Sequence, residues 1–272
     1  DSIATMKFDE LTAQQWEVLT GLFNQAARAY GRNGFEFLFP SQKIETVRKV
    51  LSPNTTEGKA LGIEYARSTD INKAAETLSN LKGDCDDLSI LYIACMNKLE
   101  QEGKIKIEAT KLAIANYYDP KEDRVLGHGN VLQLSVRDER SKKSEIATFL
   151  VDFTYNTESK DLELKEEDIA PDNKLLKGKF LEHLNKGRKD NKIKPEFIEL
   201  RFYDGAAGAQ AYCFETKGVY LKEQDKQAAV ENLSSAIEIA KKNGLYYGDA
   251  IFYRANLSSE LGVSLVKKGN EM

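Results

Sequence analysis

The apolar positions divide the chain into a helical front, a β-rich middle and a helical end. Over residues 9–31, Trp16, Leu19, Leu22, Phe23, Ala26 and Ala27 fall on one helical stripe. Thr12 and Gln15 stand three apart at its start, the pattern of a capping box. After Pro40 the spacing predicts a short helix near 43–51. Helices near 57–67 and 71–81 follow, the second with Asp70 as N-cap. From Asp84 to about Gln101, Leu88, Leu91, Tyr92, Cys95 and Leu99 recur at i, i+3, i+4, i+7 and i+11. That is one buried helical face, and Gly103 ends it.

Beyond Gly103 the period falls from 3.6 to 2. The run KIKIEATKLAIANYY alternates at Ile105, Ile107, Leu112 and Ile114 and predicts one or two strands. NVLQLSV, 130–136, and IATFLVDFTY, 146–155, predict two more. The charged pieces 119–124 and 138–145 read as their connections. Residues 172–194 carry eight Lys/Arg against three Asp/Glu. They read as a solvated helix and loop in which His183 is a surface histidine. From about Ala206 the helical pattern returns, with a turn at Asp225, a helix end at Gly244 and a further helix start near Gly248. The fold class expected is α+β: helices packed on an antiparallel sheet, followed by an α-helical hairpin region. The expected division is 1–56, a helical segment packed on the core; 57–204, the core; and 205–272, the helical region.

Composition narrows the functions open to this pattern. The chain has 272 residues, and its net charge of −4 comes from mixed signs. No basic excess is present to neutralise phosphates, so nucleic acid is not an expected partner. No run approaches the roughly 18 apolar residues of a membrane-spanning helix. Three cysteines do not make a disulfide framework. The first residue is Asp1 and not Met, which reads as a processed or trimmed chain; an extracytoplasmic location is open to it, and the sequence does not fix the compartment. Neither a cofactor nor a metal is expected. Two histidines and three scattered cysteines offer no zinc spacing. A calcium loop starting at DCDD would need Gly where Ser89 stands and Glu where Cys95 stands. YDGAAGAQAY, 203–212, lacks the Lys-Ser/Thr ending of a phosphate loop.

The remaining chemistry gathers in three short motifs. Cys85 stands in KGDCDDLSILYIACM, where a glycine hands over to a helix start; Cys95 and Cys213 read as buried structural thiols. A thiol at a helix N-terminus feels the positive dipole end, which lowers its pKa. Asp84, Asp86 and Asp87 read as caps whose carboxylates point away from the sulfur. His128 stands in GHGNV, directly before a strand. Asp152 stands in VDFTYN, inside an apolar run where a lone carboxylate is costly unless paired. Together they suit a triad: Cys85 as nucleophile, His128 as base, and Asp152 holding the ring in its useful tautomer.

In this order the three motifs resemble the signatures of the transglutaminase-like superfamily over residues 57–156, with Asn130 where that pattern has an aromatic residue. The resemblance implies a papain-like core and cysteine-dependent acyl chemistry through a thioester. The activity implied is that of an amide hydrolase or acyl transferase on a peptide or glutamine-type amide. It also implies the Cys85 N–H as first oxyanion donor, with Asn80 a candidate for the second. The placement of Gly218, Tyr220, Ala229, Ala236, Tyr253, Ala255 and Gly262 resembles tetratricopeptide repeats and implies a protein partner on the C-terminal helices. The alternative to an enzyme is therefore a non-catalytic interaction module.

Overall fold

The structure is a computed structural model that describes residues 7–8, 10–67, 71–136, 146–154, 158–186, 192–194, 198–245 and 248–270. Helix α1 (Ala13–Ala27) opens with the predicted capping box: the Thr12 hydroxyl accepts from the Gln15 N–H, and the Gln15 side chain accepts from the Thr12 N–H. Helix α2 (Pro40–Leu51) begins before position 43, because Pro40 takes its first turn, where a missing N–H costs nothing. Helix α3 (Thr56–Leu61) stops short of the expected residue 67. Gly62 adopts the left-handed conformation at φ 84° and closes it. The chain leaves as β1 (Glu64–Tyr65), which pairs in parallel with β2 (Lys82–Gly83). Between them lies α4 (Ala74–Asn80), which starts after position 71 with Lys73 as N-cap. Asp70 lies outside the described residues.

Helix α5 (Cys85–Gln101) is the centre of the molecule. Its predicted stripe is buried, and so are Ile90, Ile93, Ala94 and Met96, so the helix is covered on nearly every side. It packs on an antiparallel sheet of β3 (Ala109–Asp119), β4 (Arg124–Val136), β5 (Ile146–Val151), β6 (Lys160–Asp161) and β7 (Glu199–Asp204), in the order β6-β5-β4-β3-β7. The 119–124 piece does connect β3 to β4. The 138–145 piece lies outside the described residues. Strands β6 and β7 were not predicted: β6 has two residues and β7 only one well-buried side chain, so neither shows a period.

Both sheet faces are covered. Leu112, Ile114, Val131 and Val151 join α5, α1 and α2 in one core. Ala113, Ala115, Leu132, Leu134 and Leu150 face the other way, onto Leu176, Phe180 and Leu184 of α6 (Lys174–Leu184). Helix α6 lies in the basic stretch read as a solvated helix and loop. That reading is corrected for the helix, whose three apolar anchors repeat at i, i+4 and i+8. Helix α7 (Gly205–Leu221) gives Ala209, Tyr212 and Cys213 to the first core. Helices α8 (Lys226–Lys242) and α9 (Gly248–Asn270) close a third cluster around Leu233, Ala236 and Leu257. The architecture is thus α+β with a helical end. No helix among the described residues is long and apolar enough to cross a membrane.

Phe180→Ala removes a fully buried ring between α6 and the sheet. We expect it to lower unfolding stability by about 3–5 kcal/mol, measured as a shift of the urea midpoint.

Candidate active site

Cys85 is the first residue of α5. The Asp84 carboxylate accepts from the N–H groups of Asp86 and Asp87 at 3.1 and 3.4 Å, and Asp87 accepts from the Asp84 N–H at 3.3 Å. Both carboxylates therefore act as caps, as the sequence suggests. Asp87 is buried and also takes the Asn72 N–H and side-chain amide at 2.7 and 3.0 Å. Burial, above all, raises its pKa to about 7.

Asp86 departs from expectation. One of its oxygens accepts from the Cys85 thiol at 3.4 Å, and the other accepts from the Tyr212 hydroxyl of α7 at 2.5 Å. Gly129 makes room for it, since a Cβ there would lie 2.2 Å from the Asp86 carboxylate. The predicted picture of three carboxylates turned from the sulfur is thus corrected. So is the prediction of a lowered thiol pKa. Burial, then the charges of Asp86 and Asp84, push the Cys85 thiol well up, and the Gly129 N–H aimed at the sulfur offsets only part of this. Desolvation and two carboxylates outweigh the helix dipole.

Asp152 follows directly on the end of β5. Its Oδ2 lies 2.8 Å from His128 Nε2 and 2.6 Å from His183 Nε2, and its Oδ1 accepts from the Thr154 N–H at 2.7 Å. The side chains of Asp152, His128 and His183 are 0%, 6% and 13% exposed. Burial alone would raise the Asp152 pKa, but His128 and His183 outweigh it and hold the carboxyl well below its usual range. With Asp152 ionised, each Nε2 carries a proton and donates it, which leaves Nδ1 as the basic atom of a neutral ring. His183 is therefore no surface histidine. It reaches Asp152 because the apolar anchors of α6 press that helix onto the sheet.

The strand pleat decides where these groups stand. Gly129 faces α5, so its neighbour His128 leaves β4 on the opposite side, toward α6. Cys85 meets β4 at the Gly129 N–H, past the residue where β5 ends. Asn80 is exposed at the end of α4 and lines a cleft of about 490 Å³ with Arg67, Asn72, Lys82, Gly83 and Asp87. Cys95 and Cys213 are buried free thiols. Tyr65 and Tyr212 were missed. Burial, then charge on Cys85 and Asp84, raises the Tyr65 pKa, so its phenol belongs to the same neighbourhood. A two-residue strand and a tyrosine 126 positions from its carboxylate leave no local signal. Among the described residues, Asp84, Cys85 and Asp86 form the one group that could hold a metal, with ligand atoms within 4.8 Å of one another. Asp84 is engaged in the cap and Asp86 with Tyr212 and the thiol.

No model of a known family, no curated protein and no solved structure matches the chain.

Two expectations follow. Asp86→Asn removes the charge nearest the sulfur, so alkylation of Cys85 at pH 8 should quicken by about 3–10-fold, read by peptide mass spectrometry. Asp87 has its folded pKa at about 7, above the unfolded value of about 3.9. Between these values the native state binds the extra proton, so stability declines as pH rises through that window. Urea midpoints at pH 5 and 7.5 should differ in that sense. Asp87→Asn should shrink the difference without abolishing it, because Glu215 is also raised to about 7, chiefly by burial.

Proposed function

We propose that the chain is a cysteine-dependent amide hydrolase or acyl transferase of transglutaminase-like type, acting through a thioester on a peptide or glutamine-type amide. The observation that carries this reading is the buried His128–Asp152 hydrogen bond of 2.8 Å, on a ring whose strand neighbour Gly129 meets the Cys85 turn. A dry, ionised carboxylate on Nε2 holds one tautomer and favours the ring's cation, which is what a general base requires.

In this reading the Cys85 sulfur attacks the amide carbonyl carbon. The step needs the His128 ring, which points toward α6 in this structure, to come round the strand edge to the sulfur; its Nδ1 then takes the Cys85 proton as the C–S bond forms and the carbonyl oxygen becomes an oxyanion. The Cys85 N–H, in the first helical turn where N–H groups lack intrahelical partners, donates to that oxygen. Asn80, in the cleft beyond Gly83, is the candidate second donor. Collapse breaks the C–N bond, and His128 returns the proton to the departing nitrogen. Water or a second amine then attacks the thioester, again giving its proton to His128, and the C–S bond breaks as His128 returns that proton to the Cys85 sulfur. The raised thiol pKa makes His128 a base that acts during attack and not half of a resting ion pair.

The same protonated thiol favours a second reading, a non-catalytic interaction module. Its partner face would be the tetratricopeptide-like helices α7–α9, where Phe252 is 63% exposed beside exposed Ile251.

The test is acylation of Cys85 by an activated ester of a glutaminyl peptide, read as a thioester mass, with ammonia release from the parent amide. We expect acylation to rise with pH and to fall by about 10²-fold or more in His128→Ala. Equal, slow acylation in both proteins would assign the chain to the interaction module.

A further inference from the structure

We propose that His183 is a positioning residue of this site: it divides the Asp152 carboxylate between two imidazoles and thereby tunes His128 as a base. The proposal takes the role of His128 from the reading above; the pairing itself stands on geometry. His128 from β4 and His183 from α6 bring Nε2 atoms to the same oxygen, at 2.8 and 2.6 Å. A carboxylate oxygen has two lone pairs and can accept both N–H groups. Leu176, Phe180 and Leu184 keep α6 in register, so His183 reaches Asp152 from a helix whose apolar side is locked to the sheet.

Two modes of action are open to such a residue, and the structure separates them. A proton relay from His183 to His128 would pass through Asp152 and require that carboxyl to accept a proton. Asp152 is held firmly ionised, so it does not. The influence is electrostatic. An oxygen that serves one ring stabilises that ring's cation fully; an oxygen that serves two is shared, and two cations on it repel. His183 lines a cavity of about 430 Å³ with Lys179, Glu182 and Lys186 of its own helix and with Glu158 and Asp161 from the facing segment. On the other side, Asp84, Cys85 and Asp86 of the α5 turn approach Gly129, next to His128. Asp152 is buried and lies within hydrogen-bond distance of both rings.

The chain has only two histidines, so long-range ¹H–¹⁵N spectra of the uniformly labelled full chain contain two ring systems. His183→Asn assigns them. In the wild type, both rings, when neutral, are expected as the Nε2–H tautomer. His183→Asn should raise the His128 midpoint by about 0.5–1.5 pH units. Asp152→Asn should lower the His128 midpoint. A purely structural His183 would alter stability and leave the His128 midpoint in place. The proposal is overturned by a neutral Nδ1–H tautomer at either ring, or by an unmoved His128 midpoint in folded His183→Asn. The tautomer is read on the wild type, so the test decides even where a variant does not fold. A His128 midpoint that moves in His183→Asn, without amide turnover in the wild type, would remove the proposed reaction and leave the pairing.

Discussion

A carboxylate shut away from water must have its hydration replaced by donors, and Asp152 imposes that demand on the structure around it. Among the described residues, His128 from β4, His183 from α6 and the Thr154 N–H answer it. Each comes from a different part of the chain, so the carboxylate is a point where sheet, helix and strand end must meet. Withdrawing one donor leaves a buried charge partly unpaired, which costs more than the lost bond itself. The apolar contacts of α6 bring it close to the sheet; the charge at Asp152 gives that approach an orientation.

The same physics acts with opposite sign a short distance away. Asp86 stands against the Cys85 thiol, and charge there opposes the thiolate. Asp152 stands against His128, and charge there favours the imidazolium. In the proposed reaction the two effects compete over where one proton rests. Burial of the sulfur tips the balance, and the resting state keeps the proton on Cys85. In the proposed reaction, a site built in this way would hold its nucleophile protonated until attack draws on the base. Tyr212 shows how far this arrangement extends: α7, which begins the helical end of the chain, anchors the carboxylate that restrains the thiol.

The close approach of α5 to β4 is the geometric counterpart. Only a residue without a side chain at position 129 lets the Asp86 carboxylate and the helix turn come so near the strand. That contact also sets the pleat, turning His128 toward α6 and away from α5. The partition of the site between the two sheet faces thus follows from one glycine.

Local pattern by itself determined the parts of this protein whose cause is local. The capping box at Thr12 and Gln15, the buried face of α5, the Asp84 cap, the β3–β4 hairpin and the α+β order all rest on neighbours within a few residues. Cys85, His128 and Asp152 stood out for the same reason: each is a reactive type at the edge of a periodic run. The early end of α3 at Gly62, by contrast, needed a backbone angle that composition does not state. Tertiary structure alone decided the electrostatics. Asp86 turned to the sulfur, Tyr212 reached it across 126 positions, and His183 arrived at Asp152 from a stretch whose charge suggested solvent. The physical reason is range. Periodicity and capping act along the chain, while the charge felt by a thiol or an imidazole comes from whatever packing brings beside it.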